Sequence, residues 1–271
     1  MMKKIFRKGN FIIIAIILFV IILSISIFIN SNLKYVDVYR ENDEILNKIR
    51  YNTSFQMIKE SVDSMNKGPI PRLEKVAYIT IDDGPSKYTN QILNILEEND
   101  VKATFFMIGS NMENHKKEVI DVTEKGHSVG FHSITHDIKK LYKTPQDTLD
   151  EFDKCNNIYS NITGYDSKLI RLPYGSKPYM PQESYELLDK NGYIIWDWNL
   201  DTQDWRATTD NIISNVLYYA RDKRDLVLLM HEKEQTVNAL DSMIKILKER
   251  GYTIMPITEK IESKNFLKKN L

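Results

Sequence analysis

A chain of 271 residues is long enough for one large domain or two modest ones, with a substantial core. Its 37 Lys and Arg balance 37 Asp and Glu, which excludes the strongly basic surface that makes nucleic acid a main ligand. The single cysteine, Cys155, excludes an intramolecular disulfide and a cysteine-based zinc site, and its apolar-periodic setting marks it as core.

In chain order, Lys3, Lys4, Arg7 and Lys8 come first and an uninterrupted apolar run from Phe11 to Ile29 follows. Nineteen residues at helical rise span the hydrocarbon core of a bilayer. The run ends in "IFINSNLKY", without the small-residue cleavage site of a signal peptide. The cationic flank predicts a cytoplasmic N-terminus. Residues 1–10 are therefore expected as a cytoplasmic flank and 11–30 as an uncleaved transmembrane signal anchor in the cell membrane, with everything beyond it extracellular. Residues 31–73 read as a helical stalk, from the spacing of Leu46, Ile49, Ile58, Val62 and Met65, ended by "KGPIPR".

From about residue 74 the pattern changes to short β-rich runs alternating with longer amphipathic ones. Strands are predicted at 76–81, 104–108, 128–131, 169–171, 194–196, 226–230 and 253–256. Helices are predicted at 89–99, 115–125, 145–161, 182–191, 210–222 and 237–250, with Gly126, Gly192 and Gly251 placed to end three of them. Seven strands alternating with helices mean an α/β fold with a parallel sheet, either a barrel or a doubly wound sheet.

The unusual polar residues fall on the carboxyl ends of those strands, where parallel α/β folds bind ligands. Asp82 and Asp83 follow the first strand, and adjacent like charges there are costly unless a cation or hydrogen-bond network neutralises them. His132 and His136 follow the third strand, spaced so that one turn can aim both imidazoles at one point. Arg171 ends the fourth, "DTQDW" lies beyond the fifth and His231 follows the sixth. Two histidines and one carboxylate make a facial trio that leaves positions open for water and substrate. His115 reads as a solvated helix residue and His127 as a structural turn residue.

Residues from about 74 to 262 resemble the polysaccharide deacetylase family, also called the NodB homology domain or carbohydrate esterase family 4. The resemblance rests on five ordered motifs, "TIDDGPS", "HSITH", "RLPYG", "DTQDW" and "LLMH". It implies a distorted (β/α)7 barrel, leaving residues 263–271 as a tail. It further implies Asp82 as general base, Asp83, His132 and His136 as ligands of one divalent cation, zinc or in some members cobalt or manganese, and Arg171 as the partner of Asp82. Asp204 would tune His231, the general acid, while Pro173, Tyr174, Trp205 and Leu229 would wall the pocket around an acetyl group. Two positions depart from the family pattern: Phe131 where a small polar residue is common, and Ile81 in place of a Phe.

The expected activity is extracellular, metal-dependent N-deacetylation of a polysaccharide. Glycan strands of peptidoglycan, at N-acetylglucosamine, are the leading substrate because the anchor would hold the domain near the wall. Chitin oligomers, xylan esters, an exopolysaccharide, N-acetylmuramic acid, and a non-catalytic glycan-binding role stay open at this point. The other expected partner is the lipid bilayer, through residues 11–29, with no obligate protein partner.

Overall fold

The computed structural model describes residues 75–271. The expected flank, anchor and stalk lie outside the described residues, among which no helix is long and apolar enough to cross a membrane. The strands are β1 (Lys75–Asp82), β2 (Thr104–Met107), β3 (Ser128–Phe131), β4 (Leu169–Ile170), β5 (Ile194–Ile195), β6 (Leu200–Asp201), β7 (Asp225–His231) and β8 (Tyr252–Ile254). The helices are α1 (Thr89–Glu98), α2 (Gly109–Asn114), α3 (Lys116–Glu124), α4 (Ile138–Leu141), α5 (Pro145–Thr163), α6 (Gln182–Lys190), α7 (Thr209–Tyr219) and α8 (Glu234–Glu249). All seven expected strands and six expected helices are present. The additions are the two-residue β6 and the short helices α2 and α4.

Every strand pairing is parallel, in the order β5-β4-β3-β2-β1-β7-β6, with β8 paired to the first residues of β1. The sheet ends, β5 and β6, are consecutive in the chain and joined by only four residues, 196–199. Such a link reaches about 18 Å at full extension. A flat sheet of seven strands would hold its edges about 29 Å apart. The sheet must therefore curl until its edges nearly meet, which makes the expected open, distorted barrel.

Side-chain alternation divides each strand between two environments. In β1, Ala77, Ile79 and Ile81 belong to the larger core beneath the helices, with Leu93, Leu96, Phe105, Phe131, Leu228 and Leu240. Tyr78 points the other way, into a smaller cluster with Phe106, Leu169, Trp196 and Val227. Continuing that period of two sends Thr80, Asp82, His132, Arg171, Leu229 and His231 to the barrel interior. The same alternation that buries the apolar residues thus stacks the polar ones at one mouth.

The helices end as the glycines suggest: Gly126, Gly192 and Gly251 carry left-handed φ values of 77, 78 and 79°. Helix α5 starts at an N-cap, Thr144, whose hydroxyl accepts from the Asp147 N–H at 3.1 Å, with Pro145 in the first turn. Cys155 is buried and unpaired, as its apolar setting suggests. Residues 263–271 run along the seam between β5 and β6. The Asp197 N–H donates to the Lys264 carbonyl at 2.9 Å, the Phe266 N–H to Asp197 Oδ2 at 2.7 Å, and Asn265 Nδ2 to the Ile195 carbonyl at 3.2 Å.

Candidate active site

Asp82 ends β1 in register with His231 at the end of β7, so the two stand side by side on neighbouring strands. Asp82 is 1% exposed and accepts from Arg171 Nη1 at 2.9 Å. Arg171 is fully buried, and every arm of its guanidinium is held: Nε by the Trp196 carbonyl at 3.1 Å, Nη2 by the Asp197 carbonyl at 3.0 Å, Nη1 also by Thr80 Oγ1 at 2.5 Å. Its plane lies 4.3 Å from the centre of the Phe106 ring. Burial raises the pKa of Asp82, and the charges of Arg171 and His231 only partly oppose that rise. The carboxylate is thus fixed in orientation and given more proton affinity than an exposed aspartate.

Asp83 turns away from the strand with a left-handed φ of 69°. Its carbonyl accepts from Asn111 Nδ2 at 2.8 Å, and the Ile108 N–H donates to the Gly84 carbonyl at 2.9 Å, so the turn leans on the β2–α2 junction. The loop after β3 is pinned to the same place. The Gly109 and Ser110 N–H groups donate to the carbonyls of Ser133 and Ile134, and the Ile134 N–H donates to Glu151 Oε2 at 2.9 Å. His136, with φ 59°, donates its N–H to Ser133 Oγ at 3.0 Å. The two histidines therefore converge through a loop, not along a helix face.

The convergence is close. Asp83 Oδ1 lies 3.7 Å from His132 Nε2 and 3.8 Å from His136 Nε2, and the three ligand atoms fall within 4.8 Å of one another. His132 Nδ1 sits 2.7 Å from the Arg171 carbonyl, which can only accept, so Nδ1 carries the proton and Nε2 offers its lone pair. Burial pushes His132 down to about 3, keeping it neutral. Asp83 Oδ1 is buried and has no hydrogen-bond partner. An orphaned carboxylate oxygen facing two imidazole nitrogens fits a divalent cation held by one carboxylate and two histidines.

A second pair stands on the β6–β7 side. Asp204 is fully buried; its Oδ1 is 2.7 Å from His231 Nδ1, and its Oδ2 accepts from the His231 N–H and from Thr236 Oγ1, each at 2.6 Å. Burial by itself would lower the pKa of His231. The Asp204 hydrogen bond and charge, helped by Asp82 and Asp83, outweigh it and raise the imidazole to about 9.

A cavity of about 490 Å³ joins these groups. Asp82, Asp83, His132, His136, Tyr174, Trp205, Leu229 and His231 line it, as expected for residues meant to meet there. Arg171 and Asp204 stand behind the wall. Pro173 is a correction: it is buried but does not line the cavity, and its neighbour Leu172 does. Alternation explains this, since the residue after Arg171 has left the strand and the turn presents Leu172 instead. Tyr174 and Trp205 are 58% and 55% exposed and form the rim. Tyr174 holds φ 64°, stacks edge-on against His136 at 4.9 Å, and its N–H has no partner among the described residues. His127 is structural, accepting the Ala103 N–H at 3.1 Å, and His115 lies on the surface beside Glu118.

Sequence reasoning missed Trp198, Asp201 and Lys233, which also line the cavity, and Glu232. Glu232 is 5% exposed; its Oε2 accepts from Ser86 Oγ at 2.6 Å and Thr89 Oγ1 at 2.7 Å, while Oε1 has no partner. Burial raises it to about 7. It packs so closely on Gly84 that a Cβ there would sit 2.1 Å from Oε1, so the turn carrying Asp83 needs glycine at this position. The acid directly after His231 in "LLMHE" was the available signal.

The polysaccharide deacetylase family model matches residues 70–195. YheN of Bacillus subtilis strain 168, named only provisionally as a polysaccharide deacetylase, is 36% identical over 233 residues, covering 81% of this chain and 80% of its own. A peptidoglycan-N-acetylglucosamine deacetylase of Bacillus cereus is 40% identical over 185 residues, covering 66% and 67%. The crystal structure of the polysaccharide deacetylase Bc1974 from Bacillus cereus superimposes with a TM-score of 0.69 at 39% identity, over 73% of this chain and 99% of that one.

Proposed function

The chain belongs to the polysaccharide deacetylase family, and from that premise we propose that it removes N-acetyl groups from N-acetylglucosamine in peptidoglycan, at the outer face of a membrane to which residues 11–29 anchor it. The observation that carries the chemistry is one mouth holding three things: a cation-binding trio with an orphaned oxygen, a buried base and a protonated imidazole. The activity in the name of the Bacillus cereus relative supports the choice of sugar.

Zinc suits Asp83, His132 and His136 best, and when bound it supplies Lewis acidity at that corner of the pocket. Asp82, held by Arg171 and given added basicity by burial, takes the proton of the attacking water. The free Tyr174 N–H, presented at the rim by its left-handed turn, is the backbone donor for the tetrahedral oxyanion. His231, kept protonated by Asp204, gives its proton to the departing amine as the C–N bond breaks and acetate is left. Leu229 and Leu172 exclude water on the acetyl side.

The test is product analysis by mass spectrometry after incubation with peptidoglycan, chitin oligomers and acetylated xylan in the presence of zinc, cobalt or manganese. The reading expects loss of acetyl, 42 Da per event by its chemistry (about the mass of C2H2O), at glucosamine of peptidoglycan. Acetate released from xylan alone, or from nothing, contradicts it.

A further inference from the structure

The seam that closes the barrel has an outer side. Between β6 and residues 263–271 lies a cavity of about 600 Å³, in the range of small-ligand sites. Its walls carry the rings of Trp198, Tyr219 and Phe266 and the polar groups of Asp201, Gln203 and Lys269. Trp198 and Phe266 stand edge to face at 5.2 Å, and Tyr219 is 44% exposed. The polar groups are only partly engaged. Asp201 Oδ1 accepts the Gln203 N–H and Gln203 Oε1 accepts from Arg206, but Lys269 Nζ and the Tyr219 hydroxyl have no partner among the described residues.

Rings beside a carboxylate, an amide and an ammonium group suit a ligand with apolar C–H faces and a hydroxyl periphery. One lysine next to Asp201 is a poor match for a polyphosphate, and so polar a wall is a poor match for a lipid chain. The groove is also continuous with the catalytic cavity, because Trp198 and Asp201 line both.

We propose that the seam groove is a second saccharide subsite, holding a sugar of the same glycan strand whose acetylated unit occupies the catalytic cavity. The inference rests on the deacetylase reading above and adds a length preference to it. The Trp198 ring divides the two chambers, and the strand crosses from one to the other at Asp201. Residues 263–271 then have a task besides closing the barrel: they supply the outer wall against which the distal sugar rests.

The test uses the full chain, detergent-solubilised, with N-acetylglucosamine oligomers of two to six units and the variants Tyr219→Ala and Lys269→Ala, neither of which lines the catalytic cavity. Wild-type kcat/KM should rise with oligomer length. Each variant should lose about three- to tenfold on the six-unit oligomer, the usual worth of one ring or polar contact, and keep its rate on the two-unit oligomer. Equal losses on both oligomers, or no loss on either, overturn the subsite. A calorimetric titration of the six-unit oligomer separates this from failure of the deacetylase reading, because it needs no turnover. Weaker binding by the variants than by wild type supports the groove even if no oligomer is hydrolysed, whereas equal binding, or none by wild type, refutes it.

Discussion

The two sides of the catalytic mouth are built on opposite terms. On the β6–β7 side, Asp204 accepts three hydrogen bonds and His231 has its charge compensated, so the pair is complete without any ligand. On the β1–β3 side, Asp83 Oδ1 is buried and unpaired, and Asp83, Ser133 and His136 all hold left-handed φ values. Such conformations cost on the order of 1 kcal/mol or more each and persist where surrounding structure enforces them. One side is a finished proton donor; the other is a prepared socket. The difference separates changes that empty the socket from changes that only retitrate the acid.

The largest effects are expected in the socket. Asp83→Ala, His132→Ala and His136→Ala should each abolish deacetylation and also remove the rise in melting temperature that zinc gives the wild type, since a ligand stabilises only the state that binds it. Retained zinc stabilisation in all three would show that the cation sits elsewhere. Next comes the finished side. His231→Ala should cut kcat by about 10² to 10⁴ with little change in KM. The defect should be smaller on an aryl acetate, whose leaving group needs the proton less. Equal defects on ester and amide would assign His231 to binding.

A subtler break retitrates the acid without removing it. With His231 raised to about 9, the alkaline limb of kcat/KM should lie near that pH. Asp204→Asn removes the charge that offsets burial, so the limb should move down by about two pH units. An unmoved limb would mean another group carries the proton.

Smallest is a stability effect at the hinge between the two sides. Glu232 has a folded pKa of about 7 against an ordinary 4.5, so the folded state binds its proton more tightly. Its contribution is full below pH 4.5 and lost as pH rises through 7. Glu232→Gln should therefore gain on the wild type between pH 5 and pH 8, by on the order of 1–3 kcal/mol at most. A constant difference across that range would show that Glu232 is ionised in the fold.

Much of this was legible because the strands are buried on both faces and read as apolar runs, so a polar residue at a strand end stands out. Asp82, His132, Arg171 and His231 follow from that contrast and from alternation. The β6 strand was not legible, since two residues between Trp198 and "DTQDW" carry no periodicity; closure of the sheet makes it a strand. Glu232 read as the first acid of a solvated helix, because nothing local reveals that the β1–α1 turn covers it. The seam groove depends on residues 200 and 269 meeting across the barrel, which no local pattern encodes. Pro173 shows the resolution limit of motif reading: the right loop, one residue off.

The central claim is the division of labour between the adjacent carboxylates, Asp82 for proton transfer and Asp83 for the cation. The most direct measurement is elemental analysis of purified Asp82→Asn and Asp83→Ala beside the wild type after identical zinc loading and dialysis. The account expects one zinc per chain in the wild type and in inactive Asp82→Asn, and none in Asp83→Ala. Zinc lost equally from both variants, or retained in Asp83→Ala, would contradict it.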